Sequence, residues 1–126
     1  GEVIAFKAAL DFVDQIGKEN IAAYEDELLQ YATELLYEVD GFTAVGTAEH
    51  KASVISFLVE GVHPFDLGQL LDAKGIAVRT GHHCTQPLMD FYEIEGTVRA
   101  SFSIYNTKKE IKYFVDSLKE IIKMFR

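Results

Sequence analysis

Val3, Phe6, Leu10, Val13 and Ile16 recur at spacings of three and four, the signature of one helix stripe. Gly17 follows as the residue that tolerates positive φ at a helix end. Asn20 is placed to cap a second helix, whose inner face carries Ile21, Tyr24, Leu28, Tyr31, Leu35 and Val39 before Asp40-Gly41 stops it. Phe42 to Val45 reads as a short strand and 46–51 as a polar loop. Ser53 to Glu60 is β-branched, aromatic and too short for a helix, hence a buried strand. Pro64 opens a short helix through Leu67, Leu70 and Leu71 that Gly75 ends. Ile76 to Arg79 is the next expected strand, followed by a polar loop over 80–87 that Pro87 closes. From Thr97 to Ile104 the alternation is clean. Val98, Ala100, Phe102 and Ile104 face one way; Thr97, Arg99, Ser101 and Ser103 face the other. Asn106 sets up the turn into a last helix, where Thr107 and Glu110 match a capping box and Ile111, Phe114, Leu118, Ile121 and Phe125 form the inner stripe. The order α-α-β-β-α-β-β-α predicts an α+β fold, a small mainly antiparallel sheet covered by helices. Each helix and strand is expected to have an apolar face that another element covers.

A chain of 126 residues is near the modal size of one domain and can bury roughly two-thirds of its unfolded surface. Apolar residues make up 48% and charged residues 25%, values of a globular protein. Twelve Lys and Arg stand against 20 Asp and Glu, a net charge of −8. Such a surface is repelled by phosphate backbones and anionic lipids, which argues against nucleic acid and membrane as partners. No apolar run approaches a membrane span and no basic-then-apolar leader is visible, so a cytoplasmic location is expected. The charge is uneven: residues 1–40 carry 2 basic and 10 acidic side chains, whereas 107–126 carry 6 basic and 3 acidic. These runs read as solvated helix faces. The chain opens at Gly1 directly into a helical stripe, which reads as a cut in a longer polypeptide.

The single cysteine excludes an internal disulfide and any multi-cysteine metal site. It lies in Arg79-Thr80-Gly81-His82-His83-Cys84-Thr85-Gln86-Pro87, outside every apolar stripe. A lone cysteine is most often a small buried hydrophobe, but this polar setting favours a reactive thiol. Arg79, His82 and His83 are the nearest cationic or donor groups in sequence. Three consecutive side chains do not readily converge on a tetrahedral ion, and the spacing of His50 and His63 suggests no ligands, so no metal is expected. Arg99, on the polar face of a strand, suits bidentate binding of a carboxylate, or else an ordinary surface ion pair.

The Cys84 loop, the Arg99-Ala100-Ser101 strand and Tyr105-Asn106-Thr107 together resemble the C-terminal part of a cysteine desulfurase of the sulfur-mobilisation (Suf) type, within the class-V aminotransferases. The segment Ile16-Gly17-Lys18-Glu19-Asn20-Ile21 and its flanking helices are also similar to that family, so the resemblance spans essentially all 126 residues. The longer, Ser-rich cysteine loop of the Isc type is not matched. Thr85 stands where such proteins often have Ala.

The resemblance implies the minor domain of the aspartate-aminotransferase-like fold, over residues 1–126, of an enzyme that is homodimeric at full length. It implies pyridoxal 5'-phosphate (PLP) as cofactor, with L-cysteine or L-selenocysteine as substrate and alanine as product. Cys84 would attack the substrate sulfur and hold it as a persulfide for a Suf-type acceptor protein in iron–sulfur cluster assembly. Arg99 would bind the substrate carboxylate, with Arg79 close to the loop and His82 and His83 supporting it. The Schiff-base lysine of that family lies in a large domain without counterpart here, and His50-Lys51 does not match its context. This chain alone is therefore expected to be inactive and to hold no cofactor. The alternative is a free-standing α+β sulfur-carrier or small-ligand module without PLP chemistry.

Overall fold

In the computed structural model, which describes residues 1–126, the elements are α1 (Glu2–Ile16), α2 (Lys18–Tyr37), β1 (Phe42–Val45), β2 (Val54–Val59), α3 (Pro64–Asp72), β3 (Arg79–Gly81), α4 (Gln86–Tyr92), β4 (Thr97–Ser101) and α5 (Lys108–Ile122). The expected α+β class holds. The four strands form one wholly antiparallel sheet in the order β1-β2-β4-β3.

One face of that sheet is the core. Ile55, Phe57 and Val59 of β2 and Val98 and Ala100 of β4 are buried, as alternation requires. Leu28, Ala32 and Leu36 of α2, Leu67 and Leu71 of α3, and Ile111, Val115, Leu118 and Ile121 of α5 complete the cluster. Phe57 sits at its centre, 5.5 Å from the Phe42 ring and 6.3 Å from that of Phe114. Removing a buried ring of this kind costs about 3–5 kcal/mol. The uneven charge has a structural use beyond solvation, because α5 lies beside α2 in the same direction. Lys108 meets Glu27 at 2.6 Å and Lys119 meets Glu38 at 3.6 Å. The Thr107–Glu110 capping box forms as expected, with both reciprocal bonds present.

Several elements depart from the pattern. Asn20 does not cap α2; the N-cap is Gly17 at φ 91°, and Asn20 Nδ2 donates to the last carbonyl of α1, Ile16 O, at 2.7 Å. Most of the α1 stripe stays uncovered: Val3 is 84% and Phe6 63% exposed, Val13 and Ile16 are half-buried, and no residue of the helix is fully buried. The strand expected at Ile76–Arg79 starts only at Arg79. Ile76 N donates to Leu71 O at 3.0 Å, so the chain is still leaving α3 there. The polar loop over 80–87 is shorter than expected, because Gly81 ends β3 and Gln86 begins the unforeseen helix α4. β4 ends at Ser101, where Asn106 turns the chain by accepting Ser103 N–H on Oδ1 at 2.9 Å. Phe125 lies past the end of α5 and is 45% exposed. No helix is long and apolar enough to cross a membrane.

Candidate active site

The sheet face opposite the core carries the chemistry. Directly opposed residues on neighbouring strands share a face, so the pairings Val45↔Ser56, Ser56↔Arg99 and Arg79↔Arg99 draw one row across all four strands. The row ends in two arginines set against each other. Neither has a carboxylate within 4.0 Å; of the three arginines only Arg126 is in an ion pair, with Asp40. Like charges directly opposed on adjacent strands destabilise a sheet, and an anion placed over them removes that cost. Arg99 is half-buried and Arg79 exposed.

β3 delivers the cysteine loop to this face. Gly81 turns at φ 104°, and His83 and Cys84 follow at φ 54° and 61°. Two consecutive non-glycine residues in the left-handed region cost on the order of 1–2 kcal/mol each. Local bonds centred on His82 offset part of this. Its Nδ1 accepts Cys84 N–H at 3.2 Å, and its carbonyl accepts Thr85 N–H at 2.8 Å and Thr85 O–H at 2.7 Å. The result is a free Cys84 thiol turned to solvent.

His83 points the other way, onto the sheet. Its Nε2 lies 2.9 Å from Oγ1 of Thr97, a residue only 1% exposed although it is on the polar side of β4. Nδ1 of His83 is buried without a partner. A bare lone pair tolerates that better than an orphaned N–H, so the ring proton belongs on Nε2, which donates to Thr97. Burial lowers the His83 pKa below the ordinary imidazole value, and the charges of Arg99, Arg79 and His82 push the same way. A bond to the Thr97 backbone partly opposes the shift. Both effects, burial and the neighbouring charges, favour the neutral ring.

Beneath the loop lies a cleft of about 250 Å³, lined among others by Ser56, His83, Thr85, Leu88, Tyr92 and Arg99. Met89, the one buried residue of α4, anchors that helix at the cleft and stands apart from the main core. Cys84 itself lies outside the lining of this cleft. Of the larger cavities, those of about 370 and 440 Å³ hold no arginine, and one of about 350 Å³ is lined by Arg126. The structure therefore brings His83 and Arg99 into one cleft, sets Arg79 opposite Arg99 outside its lining, and ties His82 to the Cys84 amide. Thr97 and Ser56 did not stand out in the sequence, although alternation with Arg99 and with Phe57 was the signal that could have found them. His63 belongs elsewhere: it caps α3 by accepting Phe65 N–H on Nδ1 and approaches Glu95 at 3.2 Å. No three His, Cys, Asp or Glu side chains are grouped to hold a metal ion.

The family model for aminotransferase class-V matches residues 1–114. A probable cysteine desulfurase of Xylella fastidiosa (strain 9a5c) is 46% identical over 121 residues, 96% of this chain but 29% of that protein. Among solved structures, the apo cysteine desulfurase of Thermococcus onnurineus NA1 superposes with a TM-score of 0.87 at 38% identity, covering 92% of this chain and 29% of the other. The Escherichia coli cysteine desulfurase CsdA, in an S-sulfonic acid form, gives 0.91 at 31% identity over 98% of this chain and 31% of the other. The chain thus spans less than a third of the length of each of these proteins.

Proposed function

Because the chain belongs to the aminotransferase class-V family, we propose that residues 1–126 are the C-terminal small domain of a PLP-dependent cysteine desulfurase. The observation that carries this reading is the exposed Cys84 on a strained loop whose His83 shares a cleft with Arg99, the arginine that Arg79 opposes and that has no carboxylate partner. Arg99 fits a substrate α-carboxylate: it is half-buried at a cleft wall, fixed on a strand, and free of a competing ion pair. Arg79 opposite reinforces the positive potential. The reaction assigned to Cys84 is sulfur transfer from L-cysteine, with L-selenocysteine, which would deliver selenium instead, as the alternative substrate. With L-cysteine, a bond forms between the Cys84 sulfur and the substrate sulfur while the substrate Cβ–S bond breaks. The electron pair of that bond stays on carbon, which takes a proton, so the products are alanine and a Cys84 persulfide.

PLP, the cofactor the family implies, supplies an electron sink when bound. The lining of the cleft contains no lysine, which supports a reading of this chain as nucleophile and carboxylate clamp. The wider assignment is a cytoplasmic homodimer of the longer enzyme that passes its persulfide to a Suf-type acceptor protein for iron–sulfur cluster assembly. Two experiments test the reading. In the longer enzyme, Cys84→Ser abolishes sulfur transfer and leaves PLP binding intact; full alanine release with acceptor present overturns the assignment. With this chain alone, PLP and cysteine, neither a stoichiometric absorbance near roughly 420 nm nor alanine is expected. Steady alanine release would show that the small-domain reading is wrong.

A further inference from the structure

We propose that His83 and Thr97 form a latch that positions the Cys84 thiol, with the His83 ring as the tie between the cysteine loop and the sheet. The inference rests on the reading of Cys84 as the working nucleophile, and adds two positioning residues to it. Strained backbone persists only where its surroundings over-determine it. At 82–85 the bonds to the His82 ring and carbonyl are internal to the loop, so they can move with it as one body. The contact of His83 Nε2 with Thr97 Oγ1, at 2.9 Å, is the only bond between side chains that ties these four residues to the sheet.

Thr97 is suited to be the fixed end. It is 1% exposed on β4, paired with Gly81 in the ladder, and follows Gly96, which approaches the Gly81 backbone too closely to carry a side chain. The latch therefore ties Cys84 to the strand that holds Arg99 two residues further on. It sets the sulfur and the carboxylate clamp in one frame, which is what an ordered attack needs. The bond has one polarity, from Nε2–H to Oγ1, because Nδ1 is buried without a partner. A neutral ring suffices for this, and burial and the facing charges of Arg99, Arg79 and His82 favour it.

The test is amide hydrogen exchange at Cys84 and Thr85, read by NMR on this chain. Thr97→Val keeps the shape of the side chain and removes the acceptor. Loss of a hydrogen bond of ordinary strength raises exchange at both amides about 2- to 10-fold. Amides of β2 around Phe57 report whether the fold is intact. Thr97→Ser, which keeps the hydroxyl, and His83→Gln, whose amide Nε2 donates from a similar position, restore protection; a purely space-filling role would not discriminate Ser from Val in this way. His83→Ala on the loop provides a second test of the same bond if Thr97→Val fails to fold. In the longer enzyme Thr97→Val lowers kcat with little change in KM, since Arg99 is untouched. Wild-type exchange in Thr97→Val and His83→Ala overturns the latch whatever Cys84 does. Raised exchange together with full turnover by Cys84→Ser overturns the nucleophile reading, and with it the positioning role.

Discussion

The close approach of β3 and β4 beneath the cysteine loop predicts that Gly96→Ala is costly out of proportion to its size. A Cβ at Gly96 would stand 2.7 Å from Gly81 C, 2.8 Å from its Cα and 2.9 Å from its O, where ordinary contact begins near 3.4 Å. The neighbour is backbone, so no rotamer change relieves it. The strands must part by roughly half an ångström or more on a steeply repulsive contact. Overpacking of this kind costs about 1–3 kcal/mol. For a domain between the small and medium size classes, each kcal/mol lowers Tm by roughly 3–5 °C. A central value is therefore about 2 kcal/mol and a fall of about 8 °C, measured by circular dichroism at fixed pH and concentration. Because Gly81 opens the cysteine loop, alkylation of Cys84, the sole thiol, should change in the same variant. Gly61→Ala is the control. It sits at φ 77° with no atom within 4 Å of the added Cβ and lies outside the cleft lining, so it carries the left-handed penalty without the clash. A Gly96→Ala protein with wild-type Tm and wild-type Cys84 reactivity would refute the argument that this contact sets the loop.

Gly68→Ala places a Cβ 2.5 Å from Thr80 Cγ2, a side-chain methyl, so it destabilises in wild type but stabilises by up to about 1 kcal/mol in a Thr80→Ser background, where helix propensity alone acts; urea titration of the double-mutant cycle checks the change of sign. His83 has a lowered pKa in the folded chain, so its contribution to stability is complete above the ordinary imidazole pKa near ~6.5 and is lost as pH falls from there through the folded value, the unfolded chain binding the proton first. His83→Gln should flatten that acid slope, and an unchanged slope would contradict the neutral, desolvated ring. Arg99→Lys keeps charge but loses the bidentate fork; with a charge-assisted bond worth about 1.5–3 kcal/mol, KM for cysteine in the longer enzyme rises roughly 10- to 100-fold, and an unchanged KM would assign Arg99 to structure.

The parts of this fold that could be read from sequence are those fixed locally. β1 lies between Gly41 and Gly46, and the Thr107–Glu110 box is a four-residue device, so both were legible to the residue. The parts that escaped are set by distant partners. β3 is three residues long, and its position follows from pairing with Arg99, Val98 and Thr97 rather than from its own pattern. α4 has seven residues and one buried side chain, Met89, too little for a helical period. Asn20 has the residue type of a cap, but Gly17 already turns the chain and leaves it the free carbonyl of Ile16. The exposed face of α1 has the same spacing as a buried one, since periodicity specifies a stripe without specifying what covers it. The same division holds at the site. Cys84 and Arg99 were visible as polar exceptions beside apolar runs. That Arg79 faces Arg99, and that Thr97 holds His83, depends on strand register and loop path, which no local pattern encodes.

The central claim, that Cys84 is where the sulfur lands, is tested most directly by intact-protein and peptide mass spectrometry of the longer enzyme after incubation with L-cysteine and no acceptor. The account predicts a gain of one sulfur atom on the peptide carrying Cys84, removed by reductant and absent from Cys84→Ser. Alanine formation with that peptide unmodified, or sulfur gained on another residue, would contradict it.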